Sequence, residues 1–320
     1  MSAPAGANGS GKPEMTLTVL GCGTLGIAIL SGVLASLSDP AAASQSEETP
    51  SRTPTKFVAC VRRPQSAKRI QDAVSAYPQF PVQILQNDNI KGVQQANIVI
   101  LGAKPYMVKD ILDVPGMREA LKGKLLISIL AGVSAKQIED ILYPDDSIPA
   151  QDRCRVVRAM PNTAAVLRES MTVIGTTDPP LPDEWLKLVN WIFTRIGRVV
   201  HLPPSLMDVS TALAGSGPAF MALALEGLAD GAVAMGIPRA EAQTMAAQVM
   251  RGTAAMVLNG EHPAIIKEKI STPGGCTIGG LLVLEENGVR GSIARSVREA
   301  TVVASQLGQG AKNVNGTRFF

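Results

Sequence analysis

Residues 21–26 read Gly-Cys-Gly-Thr-Leu-Gly, and this hexapeptide restricts the fold of the chain more tightly than any other stretch. It follows a short apolar strand, 17–20, and runs into an apolar helix, 27–37. At such a junction each glycine has its own use. Gly21 permits a tight turn, Gly23 lets a ligand approach the backbone, and Gly26 lets helix and strand pack closely. The plainer reading is a structural glycine turn. The alternation of strands and helices that follows favours a dinucleotide-binding crossover instead.

That alternation extends over the first two-thirds of the chain. Strands are expected at 57–61, 82–85, 97–101, 125–130, 155–159 and 171–175. Helices are expected at 66–76, at 107–121 with an interruption near Pro115, and at 134–142 with Ser134 as N-cap. The run 97–101 is continuously apolar, as strands buried on both faces require. The pattern predicts an α/β fold, an N-terminal Rossmann-type doubly wound domain over 15–202. Residues 1–14 read as a disordered tail and 39–56 as a loop insertion rich in Ala, Ser, Thr, Glu and Pro.

After about residue 203 the strands stop. Residues 203–312 read as a C-terminal all-helical domain. Within it, 209–235 carries only Glu226 and Asp230 as charges and is apolar nearly all round. A helix of that kind must be surrounded. Roughly 100 residues of helix bury it poorly alone, so a homodimer sharing this domain is expected. The stretch 209–225 is short for a membrane span and contains Gly215, Gly217 and Pro218, so it reads as a buried helix of a soluble protein.

Composition excludes several classes. Net charge is only +3 and aromatics make up 3% of residues, with no basic block interleaved with aromatics. Nucleic-acid binding has no footprint here. The four cysteines, Cys22, Cys60, Cys154 and Cys276, show no C-x-x-C spacing. They read as reduced thiols of a cytoplasmic protein, with no metal site. The N-terminus lacks the apolar core of a signal peptide.

Several segments fall at the expected carboxyl edge of the sheet, where doubly wound folds bind ligands. The second strand ends Arg62-Arg63-Pro64, with no acid to hold a ribose 2′-OH. Two guanidiniums there suit a 2′-phosphate, so NADPH is favoured and NADH remains possible. The alternative is a solvated basic turn. Gly102-Ala103-Lys104-Pro105 and Ala131-Gly132 follow the fourth and fifth strands, with Lys104 either a cofactor contact or a surface charge. In Met160-Pro161-Asn162-Thr163, Asn162 is a candidate neighbour of the nicotinamide. His201, beside two prolines, reads as linker, and His262 as part of a helix-start pair with Glu261.

A second glycine-led helix start lies at 271–285, Ser-Thr-Pro-Gly-Gly-Cys-Thr-Ile-Gly-Gly-Leu-Leu-Val-Leu-Glu. Gly274 and Gly275 open an apolar helix whose free N–H groups form an anion site, and Thr277 adds a hydroxyl. This stretch resembles the signature of the pyrroline-5-carboxylate reductases. Segments 103–105, 160–163, 214–220, 228–231 and 235–238 resemble family segments in family order, over about 17–307.

The resemblance implies NAD(P)H-dependent reduction of 1-pyrroline-5-carboxylate to L-proline, the last step of proline biosynthesis. It implies a Rossmann domain and a helical domain that interlocks two subunits, with larger assemblies of dimers in the family. Active sites would lie between one subunit's Rossmann domain and its partner's helical domain. Carried over by position, cofactor contacts fall on Gly21, Cys22, Gly23, Thr24, Leu25, Arg62, Arg63, Asn89, Gly102, Ala103, Lys104, Pro105, Ala131 and Gly132. Substrate contacts fall on Gly275, Cys276 and Thr277, with Glu261 nearby and Thr277 set to bond the ring nitrogen. A position that often holds Asn in the family is Lys269 here, and a lysine can still meet a carboxylate or phosphate. Two other readings keep parts of this pattern: a related NAD(P)-dependent dehydrogenase of another imine or a hydroxy acid, and a non-catalytic dinucleotide-binding regulator.

Overall fold

The computed structural model describes residues 14–39, 49–145 and 148–307. Residues 1–13 of the tail and 40–48, half of the 39–56 segment, lie outside the described residues. Of that segment the last residues are defined: Thr55 and Lys56 both donate backbone N–H bonds to Met15 O.

Eight strands form one sheet: β1 (Thr16–Leu20), β2 (Lys56–Val61), β3 (Val82–Gln86), β4 (Ile98–Leu101), β5 (Leu125–Ser128), β6 (Arg155–Met160), β7 (Ser170–Gly175) and β8 (Gly197–Leu202). Their spatial order is 3-2-1-4-5-6-7-8. β1 to β6 are parallel, β7 is antiparallel to β6, and β8 is parallel to β7. The first six strands have the Rossmann order, and strand direction of growth reverses between β1 and β4. In sheets of this order ligands bind at such a switch point, outside the carboxyl ends of the strands.

Both faces of the sheet are covered, which is why β1, β4 and β5 are buried along their whole length. On one face, α1 (Thr24–Ser38), α2 (Pro64–Val74) and, later in the chain, the helix Asp183–Thr194 bring Ile29, Val33, Ile70 and Phe193 onto Leu17, Val19 and Ile100. On the other, α3 (Asn89–Gln95), α4 (Val108–Leu112), α5 (Met117–Leu121) and α6 (Ala135–Leu142) bring Val93, Leu112 and Ile138 onto Leu20, Leu101 and Leu126. The successive residues Val19 and Leu20 thus serve opposite faces, as the two-residue period of a strand dictates.

The helix Asp183–Thr194, α7, and strand β8 are absent from the sequence reading. The pair Val199-Val200 is the only apolar run in β8, and Gly197, Arg198 and His201 mask it. His201 is therefore a strand residue and not linker. Its Nε2 lies 2.7 Å from Asn190 Oδ1 on α7, and partial burial lowers its pKa. Ser134 caps α6 as expected, and Gln137 completes a capping box.

The chain divides into two compact units, Met1–Gly215 with Ala300–Phe320, and Ser216–Glu299. The break falls later than the end of the last strand because α8 (Met207–Ser210) and the π-turn Thr211–Gly215 belong to the sheet unit. Fully buried Met207 packs with Met160 and Val173 there. The second unit holds α9 (Gly217–Ala234), α10 (Arg239–Leu258), α11 (Pro263–Ile270), α12 (Cys276–Glu286) and most of α13 (Val289–Leu307). The expected apolar segment after residue 203 is present, broken by the π-turn. By length and composition Pro204–Ala234 could cross a membrane, yet only 17% of its apolar window is buried within the single chain. On α9 and α10, Leu223 and Val249 are 71% and 62% exposed.

The cysteines are free, and Cys22, Cys60 and Cys154 are buried. Burial, and then each thiol's near neighbour, pushes Cys22 and Cys60 up to about 12, while burial pushes Cys154 up to about 11. These thiols stay neutral and unreactive at ordinary pH. Iodoacetamide at pH 8 is expected to leave all three unmodified in the native protein and to label them in denaturant. Peptide mass spectrometry checks this; rapid native labelling of Cys22 would contradict the packing of the glycine turn.

Candidate active site

The turn after β1 is built by close backbone approach. Gly21 takes φ +69°, and a Cβ on it would stand 2.8 Å from the Ala103 backbone. Only glycine meets both conditions. The N–H groups of Gly21 and Cys22 donate to Cys60 O at 3.0 and 3.1 Å, which holds the turn against the end of β2. Gly23 N–H donates to Gly21 O at 2.7 Å, and Gly23 becomes the N-cap of α1 with no side chain capping the helix. A Cβ on Gly23 would meet nothing nearer than Gly21 O at 3.9 Å, so the backbone lies open. A Cβ on Gly26 would fall 3.0 Å from Val19 Cγ1, which is the close helix–strand packing the motif predicts. An uncapped helix start beside open backbone is a cradle for a diphosphate. These residues fit a dinucleotide.

The other expected segments of this unit share the carboxyl edge. Gly102 N–H donates to Leu20 O at 2.8 Å, setting the loop 102–105 beside the glycine turn. Lys104 is exposed and caps a short 3-10 turn, Pro105–Met107. Ala131 and Gly132 follow β5, half-buried, with Gly132 at φ +70°. Arg62 and Arg63 are exposed at the end of β2, and Arg63 O accepts the first bonds of α2. Asn89 opens α3, half-buried, while Asp88 before it is engaged as that helix's cap, accepting from Lys91 N–H at 3.2 Å.

Asn162 is buried and largely committed to the protein itself. Its Oδ1 accepts from Ala164 N–H at 3.0 Å, and its Nδ2 donates to Ala214 O in the π-turn at 2.9 Å. Its first duty is thus to tie the exit of β6 to that turn. One residue was missed by sequence reasoning. Arg69, on α2, donates from Nη2 to Thr24 Oγ1 at 3.2 Å, on the lip of the glycine turn. It lies on the second turn of α2, six residues past the N-cap Arg63, and a single exposed arginine there gives no signal in the sequence.

The second unit presents the other glycine-led helix. Gly274 takes φ +69°, and Gly275 is the N-cap of α12, again with no side-chain cap. A Cβ on Gly275 would lie 2.4 Å from Thr272 Oγ1 and 3.1 Å from Thr272 O, so a larger residue there would force the Thr272 hydroxyl to move. The first turn of α12 holds Cys276, exposed, and Thr277, half-buried, and carries no acid. His262 does what the plain reading expects: its Nδ1 accepts from Ala264 N–H at 3.2 Å as the cap of α11. Lys269 meets a carboxylate of the chain itself, with Nζ 2.7 Å from Glu261 Oε2. Among the described residues no group of three or more His, Cys, Asp or Glu side chains is set to hold a metal.

Two family models match the chain. One, described as NADP oxidoreductase, coenzyme F420-dependent, spans residues 16–132; the other, described as pyrroline-5-carboxylate reductase dimerisation, spans 204–307. The chain is also 61% identical to a pyrroline-5-carboxylate reductase of Lophium arboricola, over 96% of its own length and 97% of that protein. The chain belongs to the pyrroline-5-carboxylate reductase family. A Neurospora crassa pyrroline-5-carboxylate reductase is 55% identical over 95% of this chain and 97% of its own. Among solved structures, a Plasmodium falciparum pyrroline carboxylate reductase with NADP bound superposes with a TM-score of 0.72 at 22% identity, covering 92% of this chain and 98% of that one. A reductase of the family from Coxiella burnetii gives 0.74 at 24% identity, over 92% and 99%. At those identities the likeness is one of fold. It extends through both units of the chain, as a member of this family requires.

Gly21→Ala tests the cofactor edge of this reductase. The strained φ alone costs on the order of 1–3 kcal/mol, and the new methyl also strikes Ala103. The variant is expected to melt several degrees lower and to lose most of its nicotinamide dinucleotide affinity, read by thermal unfolding and by cofactor fluorescence titration. Unchanged affinity would remove the turn from the binding site.

Proposed function

We infer that the chain acts as the family does, reducing 1-pyrroline-5-carboxylate to L-proline in proline biosynthesis, with NADPH as the preferred hydride donor. The observation that carries this reading is the uncapped start of α12 at Gly275, inside the family's signature stretch, with Thr277 in its first turn. The substrate carries a carboxylate and a cyclic C=N bond. N–H groups of residues 275–277 hold the carboxylate, favoured by the helix dipole. The Thr277 hydroxyl bonds the ring nitrogen, directly or through one water. Glu261, oriented by its ion pair with Lys269, lies in the same unit as a further polar contact.

When bound, the cofactor supplies the hydride that adds to C5 of the imine. The nitrogen takes one proton, and an imine that enters already protonated brings it along. No strong general acid is then required, and the catalytic demand falls on orientation. That suits a loop whose polar groups are backbone N–H, a hydroxyl and an ion pair. On the cofactor side, residues 21–25, 102–105, Asn89, Ala131 and Gly132 form the contact edge, and Asn162 fixes the shape of the β6 exit beside it. Arg62 and Arg63 give the 2′-phosphate its counter-charge.

We further propose a homodimer, or an assembly of dimers, built on the second unit. Its helices leave large apolar side chains uncovered, among them Leu223, Leu228, Met235 and Val249. Those side chains cover a patch of the kind that marks an interface. The free cysteines suit a cytoplasmic setting.

Thr277→Ala is expected to lower kcat/KM by roughly ten- to a hundredfold, the loss of one hydrogen bond to a charged nitrogen, while NADPH affinity stays within about twofold. Steady-state kinetics with authentic 1-pyrroline-5-carboxylate, alongside cofactor titration, decides this; unchanged kinetics would refute the role of Thr277. In a second test, Arg62→Ala and Arg63→Ala are expected to erode the preference for NADPH over NADH. A preference untouched by both substitutions would sink the argument from the arginines. Light scattering in solution is expected to return an even multiple of the chain mass.

A further inference from the structure

Arg69 plays no part in the fold that its position demands. It stands beside Ile70, whose side chain is fully buried against α1 and β2, but is itself exposed. Among the described residues its one hydrogen bond is the long reach to Thr24 Oγ1, on the first residue of α1. Arg62 and Arg63 form the short connection between the end of β2 and the start of α2, and the end of β2 is tied to the glycine turn through Cys60 O. Among the described residues none of the three guanidiniums enters an ion pair. The acid after β3, Asp88, is turned to cap α3. Three unneutralised cations are therefore drawn to one edge of the dinucleotide turn, which an anion would relieve.

We propose that Arg69 is a specificity-determining residue, a third contact for the 2′-phosphate of NADPH that reaches in from α2 and is aimed by Thr24. The proposal rests on the NADPH reading above and deepens it. A guanidinium has five N–H donors in a fixed fork. The hydroxyl of Thr24 takes one and leaves an edge free for phosphate oxygens, which are stronger acceptors than a hydroxyl. A neutral ribose 2′-OH offers no such partner, so Arg69 separates the two cofactors rather than strengthening both. Thr24 is the aiming group, and removing its hydroxyl weakens the same contact without removing the charge.

The test uses the full-length protein and two fragments, 2′,5′-ADP and 5′-AMP, which share adenine, ribose and a 5′-phosphate and differ only in the 2′-phosphate. Isothermal titration is expected to show Arg69→Met weakening 2′,5′-ADP by roughly tenfold with 5′-AMP within twofold of the parent. Thr24→Val is expected to give a smaller loss of the same kind, and Arg69→Lys a partial recovery. Steady-state kinetics should show the KM for NADPH rising in Arg69→Met while that for NADH holds. Equal weakening of both fragments would assign Arg69 to the 5′-phosphate side or to stability and overturn the proposal. So would a parent that prefers 2′,5′-ADP but is indifferent to Arg69→Met, an outcome that leaves the NADPH reading standing. A parent with no preference for 2′,5′-ADP would instead defeat the NADPH reading and this proposal with it.

Discussion

Gly21 stands with its α-carbon against the backbone of Ala103, so that a single added methyl would lie 2.8 Å from it. The rest of the cofactor edge depends on that approach. Because the turn after β1 can sit against the loop after β4, Gly102 N–H reaches Leu20 O and the two loops lie side by side at the switch point. Because the turn is tight, Gly23 falls at the N-cap of α1 and the start of that helix stays open. The same turn donates twice to Cys60 O, which fixes where β2 ends and therefore where Arg62 and Arg63 emerge. A bulkier residue at position 21 would disturb the diphosphate cradle, the loop after β4 and the basic corner together.

The helical unit is governed by a different constraint, the absence of enough chain to cover its own apolar surface. The hydrophobic effect scales with area removed from water. A helix such as α9, apolar on nearly every face, gains that stabilisation only when neighbours surround it. Within the single chain it is mostly uncovered. The unit still holds its local geometry, through Gly275 against Thr272, the Lys269–Glu261 pair and the Glu285–Arg290 pair. Local bonds thus shape the loop before α12, while the long helices keep much of their apolar surface uncovered within the single chain.

How much of this was legible in the sequence follows from how local each cause is. The glycine turn was readable because three backbone freedoms are written into three residues, and each was found in use. The apolar strands 97–101 and 125–130 declared themselves because burial on both faces forces an unbroken apolar run. β8 did not, since an edge strand packs little and tolerates Arg198 and His201. The compact boundary at Gly215 was also hidden. It depends on Met207 packing under β7 and on Asn162 reaching Ala214, contacts between residues 52 positions apart in the second case. Asn162 lies on the expected edge, and its hydrogen bonds to Ala164 N–H and Ala214 O, which no local pattern announces, tie that edge to the frame.

Lys269 extends the same lesson to chemistry. Seen alone, Lys269 suggests a partner for a carboxylate or a phosphate. Its Nζ lies on Glu261, across the length of α11. An exposed pair of this kind adds little to stability, so its consequence is electrostatic and local. The acid and the base face each other at the two ends of α11, so the field they present outward is that of a dipole and falls off faster than that of either charge alone.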